Sequence, residues 1–340
     1  MNYREENAVS APNKQNYLDG LDRVILARQA ELAEKRREHC KNIFRDPESY
    51  RRELKNMLGW PLVGHNDDAP PTVRKTKLAE DGGYAIYRAE VDILEGLSMS
   101  GLYFEKLGGE RLPLVLVQHG GSGTPEHVSG LEGDTTNYNR MLERVIAQGV
   151  HAFAPQLLLW NKEKYGIEYD RVNIDARLKR VGGSITALEL YGLKRILDYF
   201  EVQENVSRFG MVGLSYGGFY TLMLSAIDTR IESAISCAFF NTRDAYPWSD
   251  WTWYGFAEKL DDAEIACLTY PRKLCIEIGT RDALFDVKGG IASYERLAEM
   301  SREVGCDWLE FITYDGTHEF CHDDAPIEKL AAELKRSAQL

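Results

Sequence analysis

The stretch "RFGMVGLSYGGFYTLMLSA", residues 208–226, decides how the rest of the chain is read. An apolar run ends at Gly213-Leu214-Ser215-Tyr216-Gly217-Gly218 and passes straight into a second apolar, helix-like segment. A buried strand that reverses into a helix within a few residues forces an unfavourable backbone at the turn. Glycines two residues to either side of Ser215 remove the side chains that would clash there. The turn then presents the serine hydroxyl at a helix N-terminus, where unpaired N–H groups stabilise negative charge.

Outward from this junction the chain alternates. "TVRKTKL", "YAIYRAEVDI" and "LSMSGLYFEK", from about residue 72, have the alternating polarity of antiparallel strands with one solvated face. "LPLVLVQHGG", "VHAFAPQ", "RFGMVGLS", "IESAISCAFF", "KLCIEIGTRD" and "DWLEFITYDG" are apolar runs suited to strands buried on both faces. Helical patterns separate them at about 136–148, 184–201, 216–227, 289–303 and 325–337. This order predicts an α/β fold: a mostly parallel sheet with antiparallel N-terminal strands and helices on both faces. Residues 15–58 carry apolar positions Leu18, Leu21, Ile25 and Leu32 at helical spacing among many charges. We therefore divide the chain into an N-terminal helical arm (1–62) and a catalytic domain (63–340) with an aromatic-rich insertion at about 241–270. Arms of this kind pack on the domain or on a sister copy, which makes a homo-oligomer an expectation.

In such sheets, sites form where loops leave the carboxyl ends of the strands. Four strand ends carry chemistry. Ser215 follows one. His119-Gly120-Gly121-Ser122-Gly123 follows another, and a glycine loop there can bring in one of the two N–H donors an oxyanion needs. Gly121 is the first choice, Gly120 the second, and the N–H of Tyr216 is the other donor; His119 steadies the loop or touches substrate. Asp282 follows the third, with Asp286 as a competing acid, and His318 follows the fourth. The chain order Ser215, Asp282, His318 suits a nucleophile, the acid that orients an imidazole, and the base itself. His39, His65, His127, His151 and His322 are weaker candidates.

Composition narrows the partners. The chain has 340 residues, 44% hydrophobic and 28% charged, with a formal net charge of -12, which disfavours nucleic acid or an anionic membrane as partner. No apolar run approaches the roughly 20 residues needed to cross a bilayer. The start "MNYREENAVSAPNKQ" has no apolar leader segment, and the six cysteines lack CxxC spacing, with Cys237 and Cys275 inside strand-like runs. A cytoplasmic location is the expectation. No ligand spacing points to a metal, and no Gly-Lys-Ser/Thr follows the glycine loop to cradle a phosphate.

Taken together, "QHGGSG", "GLSYGG", "GTRDALFD" and "DGTHEF" resemble the α/β-hydrolase superfamily over roughly residues 72–340, and within it the dienelactone-hydrolase and acetyl-xylan-esterase-like group. The segment "ESYRRELKNMLGWPL" is similar to that of the group's acetyl-xylan-esterase-like members. The resemblance implies an eight-stranded sheet, hydrolysis of carboxylic esters through an acyl-enzyme, and no cofactor. A small-molecule or saccharide ester is then the expected partner. A prolyl-oligopeptidase-like peptidase or an acyltransferase could use the same residues, and a catalytically silent binding protein could keep the fold. In this superfamily an insertion before the seventh strand lies over the site. Trp248 and Trp251, with Tyr246, Trp253 and Tyr254, could therefore wall a pocket, joined by Trp160 from the preceding rim; Asn241 and Asp244 could contact substrate.

Overall fold

The computed structural model describes residues 1–60, 69–160 and 167–336. The proposed boundary at 62/63 and His65 lie outside the described residues.

Nine strands form one sheet: β1 (Val73–Asp81), β2 (Tyr84–Leu94), β3 (Leu97–Lys106), β4 (Leu112–Gln118), β5 (His151–Pro155), β6 (Val206–Leu214), β7 (Ile231–Cys237), β8 (Lys273–Gly279) and β9 (Leu309–Tyr314). Each of the nine β-like runs is a strand, so among the described residues the sheet has nine strands and not the eight implied by resemblance. Their spatial order is β1-β2-β3-β5-β4-β6-β7-β8-β9. β1, β2, β3 and β5 pair antiparallel, whereas β5-β4-β6-β7-β8-β9 are parallel throughout. Burial explains the two patterns. From Pro113 to Gln118, β4 is wholly buried, and β6 is buried from Phe209 onward, because helices cover both faces. β1 lies at the sheet's edge, is charged and is almost entirely exposed, which blunts that edge against further pairing.

The helices are α1 (Ser10–His39), α2 (Pro47–Leu58), α3 (Pro125–Ser129), α4 (Met141–Ile146), α5 (Arg171–Arg180), α6 (Ile185–Glu201), α7 (Tyr216–Ile227), α8 (Asp262–Cys267), α9 (Val287–Ser301) and α10 (Ala325–Arg336). One apolar cluster joins α2, α6, α7, α8 and α9 to one face of the sheet, and a second joins α4 and α10 to the other. α2 is part of the first cluster through Tyr50, Leu54 and Leu58. Its Arg51 donates to the carbonyls of Ala226 (2.9 Å) and Leu268 (2.6 Å). α1 differs along its length. Leu32 and Arg36 are buried against the body, but Tyr17, Leu18, Leu21, Val24, Ile25 and Leu26 are all exposed.

β4 and β6 are adjacent, with Gln118 opposite Gly213, and β6 pairs β7 with Leu214 opposite Cys237. The residues that follow β4, β6, β8 and β9 therefore emerge at one end of the sheet.

Candidate active site

Ser215 sits between β6 and α7 with φ 61° and ψ -118°, a left-handed conformation rare for a residue with a side chain. Its N–H donates to Cys237 O (2.9 Å) and its carbonyl accepts from Phe219 N–H (2.9 Å), which holds the strained residue between β7 and the first helical turn. Close backbone approach explains the flanking glycines. A Cβ on Gly213 would lie 2.2 Å from Gly217 O, and one on Gly217 would lie 2.2 Å from Gln118 O.

His318, in the loop after β9, donates from Nδ1 to Asp282 Oδ2 at 2.8 Å. The other oxygen, Oδ1, accepts from the N–H groups of Leu284 (2.8 Å) and Phe285 (3.0 Å). Those bonds fix the carboxylate on the turn after β8. The His318 ring stacks on Phe285 (5.7 Å between centroids, 29°), and its carbonyl accepts from Asn137 Nδ2 (3.0 Å). Asp286 is differently placed. Its carboxylate caps α9 by accepting from Lys288 N–H (3.2 Å), so it is Asp282 that orients the imidazole.

The glycine loop after β4 is braced from within. His119 is fully buried. Its Nε2 accepts from Leu157 N–H (3.1 Å), which sets the tautomer so that Nδ1–H donates to Gly120 O (2.9 Å). Burial lowers its pKa from 6.5 to about 4, so the ring is neutral near pH 7. With both nitrogens used and no exposed surface, His119 has nothing to offer a substrate. Gly120 is also committed, its N–H donating to Tyr138 Oη (2.8 Å). Gly121 packs against Trp160, where an added Cβ would stand 2.8 Å from Cε3, and its carbonyl accepts from Trp160 N–H (2.6 Å). The N–H groups of Gly121 and Tyr216 have no acceptor among the described residues.

The aromatic residues divide. Trp248 meets Trp160 edge-on (4.9 Å, 73°) and stacks on Tyr216 (5.7 Å, 12°). Together they line a cavity of about 490 Å³ with Tyr169, Arg171, Val172 and Asp250. Trp251 is 2% exposed and stacks on Phe219 (4.9 Å, 28°), so it is core. Asn241 is likewise buried, donating to Asp286 O (2.8 Å) and accepting from Thr242 N–H (2.9 Å), which ties the insertion to the turn before α9. Both were expected at the substrate; packing removes them from it. Trp253 is buried beside Phe256, and Tyr254 is fully exposed.

Four residues near the site carried no local signal: Tyr138, Phe285, Arg171 and Asp250. Each acts through a partner distant in sequence. Arg171 donates to Asp250 Oδ2 (2.8 Å), to Glu189 (2.9 Å) and to Tyr220 Oη (2.9 Å), while Tyr216 Oη donates to Asp250 Oδ2 (2.9 Å). Among the described residues no cluster of His, Cys, Asp and Glu could hold a metal ion, and no helix is long and apolar enough to cross a membrane.

No protein-family model matches the chain, and no curated protein matches it in sequence. Solved structures match it in shape. A Bacteroides fragilis protein assigned as an acetyl xylan esterase superposes with a TM-score of 0.64 at 16% identity, over 80% of this chain and 75% of that one. A glucuronoyl esterase from Solibacter usitatus gives 0.61 at 14%, over 84% and 91%. A promiscuous CE15 esterase from a marine bacterial metagenome gives 0.60 at 16%, over 85% and 92%. At such identities the likeness is one of fold, and with the sheet order above it assigns the chain the α/β-hydrolase fold.

Proposed function

We propose that the protein hydrolyses carboxylic esters through an acyl-enzyme on Ser215. The observation that carries this reading is the His318–Asp282 bond formed between the ends of β8 and β9, on the same end of the sheet as a strained Ser215. Three matched folds belong to proteins named as esterases, which supports the same reaction class.

The roles we assign follow the chemistry of ester cleavage. Nδ1–H of His318 is held by Asp282, which leaves Nε2 as the free base. Nε2 takes the proton of Ser215 Oγ as Oγ bonds the ester carbonyl carbon. The carbonyl oxygen becomes an oxyanion, received by the N–H groups of Tyr216 and Gly121. As the tetrahedral species collapses, the carbon–alkoxide bond breaks and His318 returns the proton to the leaving alcohol. Water then repeats the sequence on the acyl-enzyme and releases the acid. Gly120 contributes by rigidity, because Tyr138 already holds its N–H.

A fluorophosphonate probe tests this. Wild type is expected to be labelled at Ser215 and to release nitrophenol from p-nitrophenyl acetate, and Ser215→Ala to do neither. Equal labelling of both proteins would sink the proposal.

A further inference from the structure

Backbone strain in this chain gathers around the reacting groups. Among the described residues, five other than glycine have a left-handed φ: Thr136 (47°), Asn139 (49°), Arg140 (57°), Ser215 (61°) and Ala238 (51°). Two of these belong to the elbow, since Ala238 follows Cys237, whose carbonyl accepts the Ser215 N–H. The other three lie in one short turn between α3 and α4, around the 3-10 helix Thr136–Tyr138. Such residues persist only where their surroundings over-determine them, and a β-branched threonine is among the costliest to hold there.

The turn is bonded to two loops of the site at once. Tyr138 reaches the glycine loop: its Oη accepts the Gly120 N–H at 2.8 Å, and a Cβ on Gly123 would stand 2.0 Å from the same oxygen. The residues on either side of Tyr138 reach the loop that carries His318. Asn137 donates from Nδ2 to His318 O (3.0 Å), and its carbonyl accepts from Phe320 N–H (2.8 Å). Asn139 donates from Nδ2 to Phe320 O (2.6 Å) and to Glu319 Oε2 (3.2 Å). Residues 315–324 form neither helix nor strand, so no ladder fixes their backbone. The carbonyls of His318, Glu319 and Phe320 are instead taken by Asn137, Tyr314 and Asn139 in turn. Asp282 orients the imidazole, but it does not place this backbone relative to the glycine loop. The turn at 136–140 does, because it grips both. A misplacement of about 1 Å between reacting groups costs on the order of 100-fold in rate.

We propose that Asn137 and Asn139 are positioning residues, and that their turn sets the spacing between His318 and the oxyanion loop. The inference rests on the ester-hydrolase reading and deepens it. Each asparagine acts through the backbone that carries the base, and the left-handed residues beside them are the cost of bending one turn toward two loops.

Two variants separate positioning from packing. Asn137→Ala removes an exposed side chain. Asn139→Gly removes both donations yet keeps the left-handed backbone, which glycine adopts freely. With p-nitrophenyl acetate each is expected to lower kcat about tenfold or more, with KM changed by less than about twofold. Melting temperatures should stay within about 3 °C of wild type. The rate of fluorophosphonate labelling at Ser215 should fall in step with kcat, because labelling also needs His318 to take the serine proton. Wild-type kcat and labelling rate in both variants overturn the proposal. So does a loss confined to KM with labelling intact, since the base would then be in place without either asparagine. Should wild type release no nitrophenol and resist the probe, it is the ester-hydrolase reading that fails.

Discussion

At Ser215 a φ of 61° is maintained against a cost on the order of 1 kcal/mol, which hydrogen bonds to β7 and to the next helical turn offset. Ser215→Ala keeps that backbone and removes only the hydroxyl. Its expected result is a loss of ester hydrolysis of about 10⁴-fold or more with an unchanged melting temperature. Gly217→Ala does the reverse. Its Cβ would meet the Gln118 carbonyl at 2.2 Å, so the elbow must shift. A destabilisation of about 3 kcal/mol is expected in urea unfolding, together with loss of activity. Asp282→Asn leaves two N–H donors satisfied at Oδ1 yet spoils the tautomer of His318. Activity should fall by about 10⁴ with little change in stability.

Among the elements, β8 holds the least expected group. Glu277 is 1% exposed, and one of its carboxyl oxygens has no partner among the described residues. Burial raises its pKa from 4.5 to about 7. The folded protein thus keeps a proton that the unfolded chain releases above pH 4.5. Stability from this group is fully present below 4.5, is lost as pH climbs, and is gone above 7. The loss is about 3 kcal/mol in all. Glu277→Gln cannot release that proton, so urea unfolding from pH 4.5 to 8 should show a correspondingly flatter profile than wild type. An unchanged slope would show that Glu277 is not the group responsible. α1 is an element with two halves. Its alternation of apolar and charged residues reads as one helix, but it is the part from Arg28 onward that meets the body, through buried Leu32 and Arg36 and the ion pairs of Arg28 and Lys35 with Glu258.

For the whole molecule, the division between arm and body that matters physically lies within α1. Residues up to Ile25 cover no core, whereas Cys40, Ile43, Tyr50, Leu54 and Leu58 belong to the main apolar cluster. We expect deletion of residues 1–25 to leave the melting temperature within about 2 °C. Deletion of residues 1–60 should abolish cooperative unfolding, since it strips five buried side chains worth roughly 1.5–3 kcal/mol each from the cluster. Circular dichroism melts of the two truncations check both.

What the sequence determined on its own was whatever depends on near neighbours. Strands of continuous apolar residues, the glycines around Ser215 and the order of Ser215, Asp282 and His318 are all local or ordinal, and they place the four strand ends correctly. Tertiary structure decided what depends on contacts between distant segments. Trp251 and Trp248 stand three residues apart and both pack on Tyr216 and Phe285, yet Trp251 is buried against Phe219 and Phe239 while Trp248 lines the cavity. Gly120 and Gly121 are neighbours in one loop, and only the reach of Tyr138, eighteen residues on, takes up one N–H and not the other. Arg171 and Asp250, 79 residues apart, acquire meaning from each other alone. Periodicity and spacing record which face a residue prefers; which partner fills the space against that face is set by how the elements pack.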